Sequence, residues 1–327
     1  MRTRTGSTGL AVNNKQGKYF YPGFTRLLAF LLLSFMFSHG LYAAFSKDDA
    51  GTSGAQFLKL GAGARATAMG NAFAGVSDDS TAVYWNPAGL NQVKKTSISV
   101  AHNIMFEDIY YDWASCARPF EFGTLGIGIQ YLSYGSIVER DATELEIGSF
   151  KPNDLAVTVG YAREFGKVMA GVNAKYISSK IKETATAFAF DVGGMYKLMD
   201  KKLSVAAVVQ NLGTKLKYVD DKEKLPLNIK IGGAYNIFNY WSAALDLNFP
   251  VDNQMNACLG TEYKYKIGDE ISAFGRLGYT TETKDVGGLN GVTGGVGGEY
   301  KNYSLDYAFV PFGDLGNTHR VSLGVKF

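Results

Sequence analysis

The sequence has little with which to do covalent or metal chemistry. Its two cysteines, Cys116 and Cys258, have neither metal-ligand spacing nor the density of a disulfide scaffold. They read as two unpaired small residues, and a bridge stays open only if their strands lie close in an oxidising compartment. There are three histidines, His39, His102 and His319. No Gly-x-Ser-x-Gly, HExxH, Cys–His pairing or phosphate loop accompanies them. GGVGG at 294–298 has glycine but no helix after it, so it reads as a strand of small residues. The acidic pairs Asp78–Asp79 and Asp220–Asp221 lack calcium-loop spacing and read as caps and solvated loops. A catalytic constellation, a metal site and a cofactor are therefore not expected. The apolar run over 27–37 is too short for a transmembrane helix, which needs about 20 apolar residues.

That run has another use. It follows Arg2, Arg4, Lys15, Lys18 and Arg26 without an acidic residue, and it precedes small residues ending at Ala43 and Ala44. Basic, apolar and small regions in this order predict a cleaved secretory signal over 1–44, and hence Sec-dependent export. His39 falls within it. Without its five basic residues the formal charge moves from +3 to −2. No basic patch for nucleic acid survives.

The next stretch, 51–90, is dominated by Ala and Gly, with apolar anchors at Phe57, Leu58, Leu60, Met69 and Phe73. It alternates too poorly for a strand and holds too much glycine for a long helix. Such a segment is expected to pack close to other backbone. Asp78, Asp79 and Ser80 offer N-cap oxygens for a short helix through Val83 and Trp85. Pro87 ends it by pushing Asn86 out of the helical region. FLKLGAGARATAMG, the following acidic pair and YWNPAGL, in this order, resemble the N-terminal signature of the PorV/PorQ family of outer-membrane proteins, a branch of the FadL-like barrels. In that family the Asn-Pro-Ala turn belongs to an N-terminal plug, or hatch. The resemblance implies a hatch over 45–95 with Asn86, Pro87, Ala88 and Gly89 as its motif, and a barrel over 96–327.

The residues test that architecture independently. After Leu90 the chain is a succession of alternating runs. In the clearest, Trp241, Ala243, Leu245, Leu247 and Phe249 share one face and Ser242, Ala244, Asp246 and Asn248 the other. About fourteen such runs are predicted, an even number of roughly ten-residue strands, which suits a bacterial transmembrane antiparallel β-barrel. The connections alternate as well. Those at 164–166, 199–202, 238–239, 267–269 and 301–302 are short, as periplasmic turns are, whereas 135–154, 213–225 and 281–290 are long and fall in the external set. Apolar faces end repeatedly in aromatics such as Tyr161, Tyr176, Tyr235, Tyr263 and Tyr300, as interfacial girdles require. The last run sets Val321, Leu323, Val325 and Phe327 on one face. A final alternating strand ending in an aromatic resembles the signal read by the outer-membrane insertion machinery.

If the alternation holds, Asn173, Lys175, Asp191, Lys230, Asp246, Glu262, Arg276, Asp306 and Arg320 point into the lumen. There they are expected to pair with one another or to hold the hatch, and a solute path is the alternative. Resemblance to PorV implies a non-enzymatic accessory protein of type IX secretion in the outer membrane of a Gram-negative-type bacterium. Its contacts would be membrane lipid and a translocon or secreted proteins met through external loops, 135–154 foremost. Resemblance to FadL-like proteins implies instead a transporter of hydrophobic ligands such as fatty acids. Inward positions that are mostly small or charged favour the first.

Overall fold

The computed structural model describes residues 50–106, 108–218, 222–283, 291–313 and 316–327. The expected leader over 1–44 and the pair Asp220–Asp221 lie outside these residues. Period-two side chains form strands wherever the expected runs occur. The first are β1 (Ser97–Ile104), β2 (Tyr110–Phe120) and β3 (Gly123–Ser133), followed by a small hairpin of β4 (Ile137–Arg140) and β5 (Glu146–Phe150). Next come β6 (Asn153–Phe165), β7 (Val168–Lys180), β8 (Thr184–Leu198) and β9 (Leu203–Gly213), then a second small hairpin of β10 (Leu216–Lys217) and β11 (Lys222–Glu223). The chain continues through β12 (Asn228–Phe238), β13 (Trp241–Pro250), β14 (Asn256–Ile267) and β15 (Ile271–Thr280). It ends with β16 (Val292–Tyr300), β17 (Tyr303–Pro311) and β18 (Asn317–Lys326).

Fourteen of these strands form one closed antiparallel barrel, each beside its neighbour in the chain once the two hairpins are set aside. Closure is made by β1 against β18, with Ser97 opposite Lys326 and Ile104 opposite His319. Closure removes both sheet edges. The turns at 121–122, 166–167, 199–202, 239–240, 268–270 and 301–302 lie at the end where residue 96 and Phe327 meet, with Phe327 N donating to Thr96 O at 2.9 Å, whereas the three-residue turn at 181–183 lies at the opposite end. The hairpins β4–β5 and β10–β11 belong to the opposite end, inside the long connections, where plain loops were expected. The strands of β4–β5 are too exposed, and those of β10–β11, with Leu216 buried, too short, for alternation to reveal them.

Burial inverts the rule for soluble proteins. Phe188 and Leu323 point outward and are 58% and 55% exposed, whereas Asp191 and Asp246 point inward and are 0% exposed. An apolar exterior around a charged interior is stable where the exterior solvent is itself apolar. Tyr176, Tyr235, Tyr263 and Tyr300 stand on the outer face. Cys116 on β2 and Cys258 on β14 are both free.

The N-terminal segment lies within the barrel. It consists of a 3-10 turn at Gln56–Lys59, α1 (Ala64–Ala68), α2 (Ala82–Trp85) and a 3-10 helix at Pro87–Gln92. Asn86 between the last two is extended, as expected of a residue before proline. The capping expectation needs correction. The N-cap of α2 is Thr81, without a side-chain cap bond. Asp79 Oδ1 instead accepts from Thr81 N (2.9 Å) and Thr81 Oγ1 (2.5 Å), Asp78 turns to Arg65, and Ser80 accepts from Ser115. An ion pair and a strand hydroxyl outcompete the cap.

Candidate functional site

Small residues let this segment lie flush on the wall. Gly70 has φ +64°, and a Cβ there would stand 2.6 Å from Tyr279 N. A Cβ on Gly171 of β7 would stand 2.5 Å from Ala88 N. Backbone thus meets backbone, which is the close packing expected from the Ala/Gly composition. A buried aromatic group fills the remaining space. The ring of Trp85 lies edge-on to Tyr84 (4.8 Å) and Phe73 (6.0 Å), and Tyr84 meets Trp113 of β2 at 5.8 Å. Their polar ends are satisfied by the segment itself, with Trp85 Nε1 donating to Ala62 O at 3.0 Å and Tyr84 Oη to Leu58 O at 3.2 Å.

Asn86 ties three pieces together. Its Nδ2 donates to Ala74 O and its Oδ1 accepts from Ala88 N, both at 3.0 Å, while its backbone N closes α2 onto Ala82 O. Pro87, Ala88 and Gly89 follow as the first turn of the 3-10 helix, all buried against the wall.

A segment with so little regular structure leaves backbone groups open, and the strands complete them. Asp246 Oδ2 accepts from Phe73 N and Ala74 N, both at 2.9 Å. Asn173 Nδ2 donates to Val83 O (2.7 Å) and Arg320 Nη1 to Gly61 O (2.5 Å). Three wall residues outside the expected lumenal set do the same. Ser322 Oγ accepts from Ala64 N (2.7 Å), Thr293 Oγ1 accepts from Gly70 N (3.0 Å) and donates to Ala68 O (3.1 Å), and Gln210 Nε2 donates to Tyr84 O (2.9 Å). Their inward register was available from the alternation, but an uncharged side chain does not stand out in it.

The remaining lumenal residues, Lys230 apart, form ion pairs. Lys175 Nζ sits 2.9 Å from Asp191, both essentially buried. Asp191 also accepts from Asn211 N (2.8 Å), standing in for a ladder partner where the β8–β9 register breaks. Arg276 bridges Glu262 (2.6 Å) and Asp306 (2.7 Å), and Arg65 of the segment joins that group through Glu262 (2.9 Å) and Asp79 (3.1 Å). Lys230 places its Nζ 4.8 Å from the centre of the Trp85 ring. On the other side of the segment Lys59 pairs with Asp252 at 2.7 Å. Burial alone would raise the Asp252 carboxyl, but Gln56 and Lys59 hold it below the usual carboxylate range.

Two chambers flank the segment. The one beside the short turns has a volume of about 320 Å³ and is lined by charged groups, among them Arg65, Glu262, Arg276 and Glu299. The one at the hairpin end is a small cavity of about 60 Å³ that opens outward and is lined largely by carboxamides. On β18, Val321 and Leu323 face outward and Val325 is half-buried, and Phe327, just past the strand, is exposed.

A fourteen-strand barrel, apolar outside and closed around its own N-terminal segment, has the fold of the FadL-like barrels. The structure aligns with the P. putida toluene transporter TodX at a TM-score of 0.56 and 12% identity, covering 82% of this chain and 99% of that one. It aligns with a Pseudomonas aeruginosa FadL homologue at 0.52 and 11% identity, covering 81% and 98%. At such identities the likeness is one of fold. In sequence, residues 44–250 match the model of the type IX secretion system protein PorV, and the chain belongs to that family. It is also 32% identical over 127 residues to NMB0088 of Neisseria meningitidis serogroup B, named as an outer membrane protein. That match takes in 38% of this chain and 26% of the relative, about a quarter of its length. The protein is an outer-membrane barrel in contact with membrane lipid.

Proposed function

We propose that this barrel is a non-enzymatic accessory protein of protein export, of the type IX kind, which meets a translocon or secreted proteins through its external face. Residues 45–95 serve as a hatch that stays in place, with Asn86 to Gly89 as its hinge-like motif and the inward charges as its anchors. The observation that carries this reading is the filled lumen. The segment is bonded to strands all round the barrel, and the chambers beside it are lined by ionised groups and carboxamides, where a hydrocarbon would strand polar groups without partners. The hairpin β4–β5 meanwhile presents Val138, Leu145 and Ile147 to solvent, and exposed apolar groups on an external loop suit a protein partner. Val321, Leu323 and Val325 on β18, with Phe327 just past it, serve the insertion machinery during biogenesis.

One observation favours a second reading, a FadL-like transporter of hydrophobic small molecules. The register break at Asp191 lies beside Asn86 and Pro87, where Gly193 gives them room, so the wall is irregular where the hatch touches it. Co-purification of the tagged protein from outer membranes in mild detergent separates the two, with proteins and lipids both identified by mass spectrometry. A stoichiometric partner protein without bound acyl chains is expected. Bound acyl chains without a protein partner would replace the export reading with the transporter.

A further inference from the structure

The chamber at the hairpin end has unmet bonding capacity that the hatch does not use. Lys230 lines it and is only 4% exposed. Its ammonium lies over the Trp85 ring and has neither a hydrogen-bond acceptor nor an ion pair among the described residues. The other lysine of the chamber, Lys59, is engaged by Asp252, and the carboxylate of Glu282 lines the same chamber. Asp246, on the strand next to Lys230, turns Oδ2 to the hatch backbone and leaves Oδ1 without a donor. Asn71 and Asn228 also line the chamber, and each keeps a buried side-chain oxygen without a donor. Their neighbours are fixed. Asn228 Nδ2 donates to Gln210 Oε1 and Asn248 Oδ1 (3.3 Å each), and Asn248 Nδ2 donates to Asn256 Oδ1 (2.9 Å), which makes a carboxamide ladder across four adjacent strands.

A desolvated cation without an acceptor and oxygens without donors call for a ligand that brings an anion and hydroxyls together. We propose that this chamber binds a small hydroxylated carboxylate, its carboxylate on Lys230 and its hydroxyls on the oxygens of Asn71 and Asn228. A bare acyl chain satisfies only Lys230, and a neutral sugar only the amides. A site that hydrogen-bonds its ligand rejects analogues lacking those groups more strongly than an apolar pocket rejects a misfit.

The test titrates the full barrel in detergent with D-gluconate, D-glucose and hexanoate, read by calorimetry and saturation-transfer NMR. Gluconate is expected to bind, with glucose and hexanoate each at least about tenfold weaker. Lys230→Met weakens gluconate by about tenfold or more, whereas Lys230→Arg retains binding. Absence of gluconate binding, hexanoate binding as tightly as gluconate, or an unchanged affinity in Lys230→Met overturns the proposal. Lower thermal stability of Lys230→Met at unchanged gluconate affinity assigns Lys230 to charge balance with Asp246 and Glu282 alone, and overturns it too. If Lys230→Met does not fold, Asn71→Ala decides. It is expected to weaken gluconate several-fold without moving hexanoate, and no change overturns the proposal.

Discussion

The two sides of the hatch are held by different chemistry. Toward the short turns it is fastened by charge, with Arg65 reaching Glu262 and Arg276 tying Glu262 to Asp306. Toward the hairpins it is fastened by single bonds to its backbone, from the amides Gln210 and Asn173 and from the charged Asp246 and Arg320, with Lys59–Asp252 as the ion pair at the rim. The first side is a connected network in which each carboxylate depends on a neighbouring guanidinium. The hairpin side is a set of separate bonds, each of which can be lost alone. A lesion on the first side therefore spreads, and a lesion on the second stays local.

The largest effect belongs to the network. Arg276→Ala leaves Asp306 without its cation and is expected to cost roughly 3–5 kcal/mol, seen as a drop in the thermal unfolding midpoint in micelles. A loss no greater than that of the single-bond variants below would break the contrast. Gly171→Val comes next. It drives a branched side chain into the backbone at Pro87 and Ala88, and a cost of about 1–3 kcal/mol is expected with the same readout. Asn86→Ala removes one donor and one acceptor from a fully buried position and should cost about 1–2 kcal/mol. It should also raise conductance in planar bilayers, and unchanged conductance together with unchanged stability would remove Asn86 from the hatch role.

The smallest effect is at the rim. Asp252 has a folded pKa below its unfolded one, so its contribution is complete above the ordinary carboxylate pKa of about 4 and is lost as pH falls through the lowered value. Asp252→Asn should thus lower the midpoint slightly at pH 6, by less than about 1 kcal/mol, and that difference should shrink as pH falls below the ordinary carboxylate range. A difference that does not shrink with acid would mean that the pair acts through packing.

Much of this was legible in the residues because a barrel wall has a simple code. Trp241 to Phe249 alternate so cleanly that both faces of β13 could be assigned, and the strict antiparallel order then follows from short turns. Inward charges stand out in such a pattern, which is why Asp246 and Arg320 could be found without coordinates. Ser322, Thr293 and Gln210 could not, since a neutral side chain at an inward position looks the same whether it meets the hatch or water. The partner of Arg65 was beyond reach for a different reason. Glu262 lies 197 residues away, and only the closed barrel brings them together. The β4–β5 hairpin is exposed on both faces, so no burial pattern imposes an alternation on its sequence.

The seam between β1 and β18 has a consequence for stability. Wall atoms on β7, β9, β13, β16 and β18 all bond the hatch, so it touches the sheet from both sides of that seam. The full set of those bonds exists only once β18 lies beside β1, since Ser322 and Arg320 of β18 contribute to it. Hatch and seam therefore support one another, and a lesion in either weakens both.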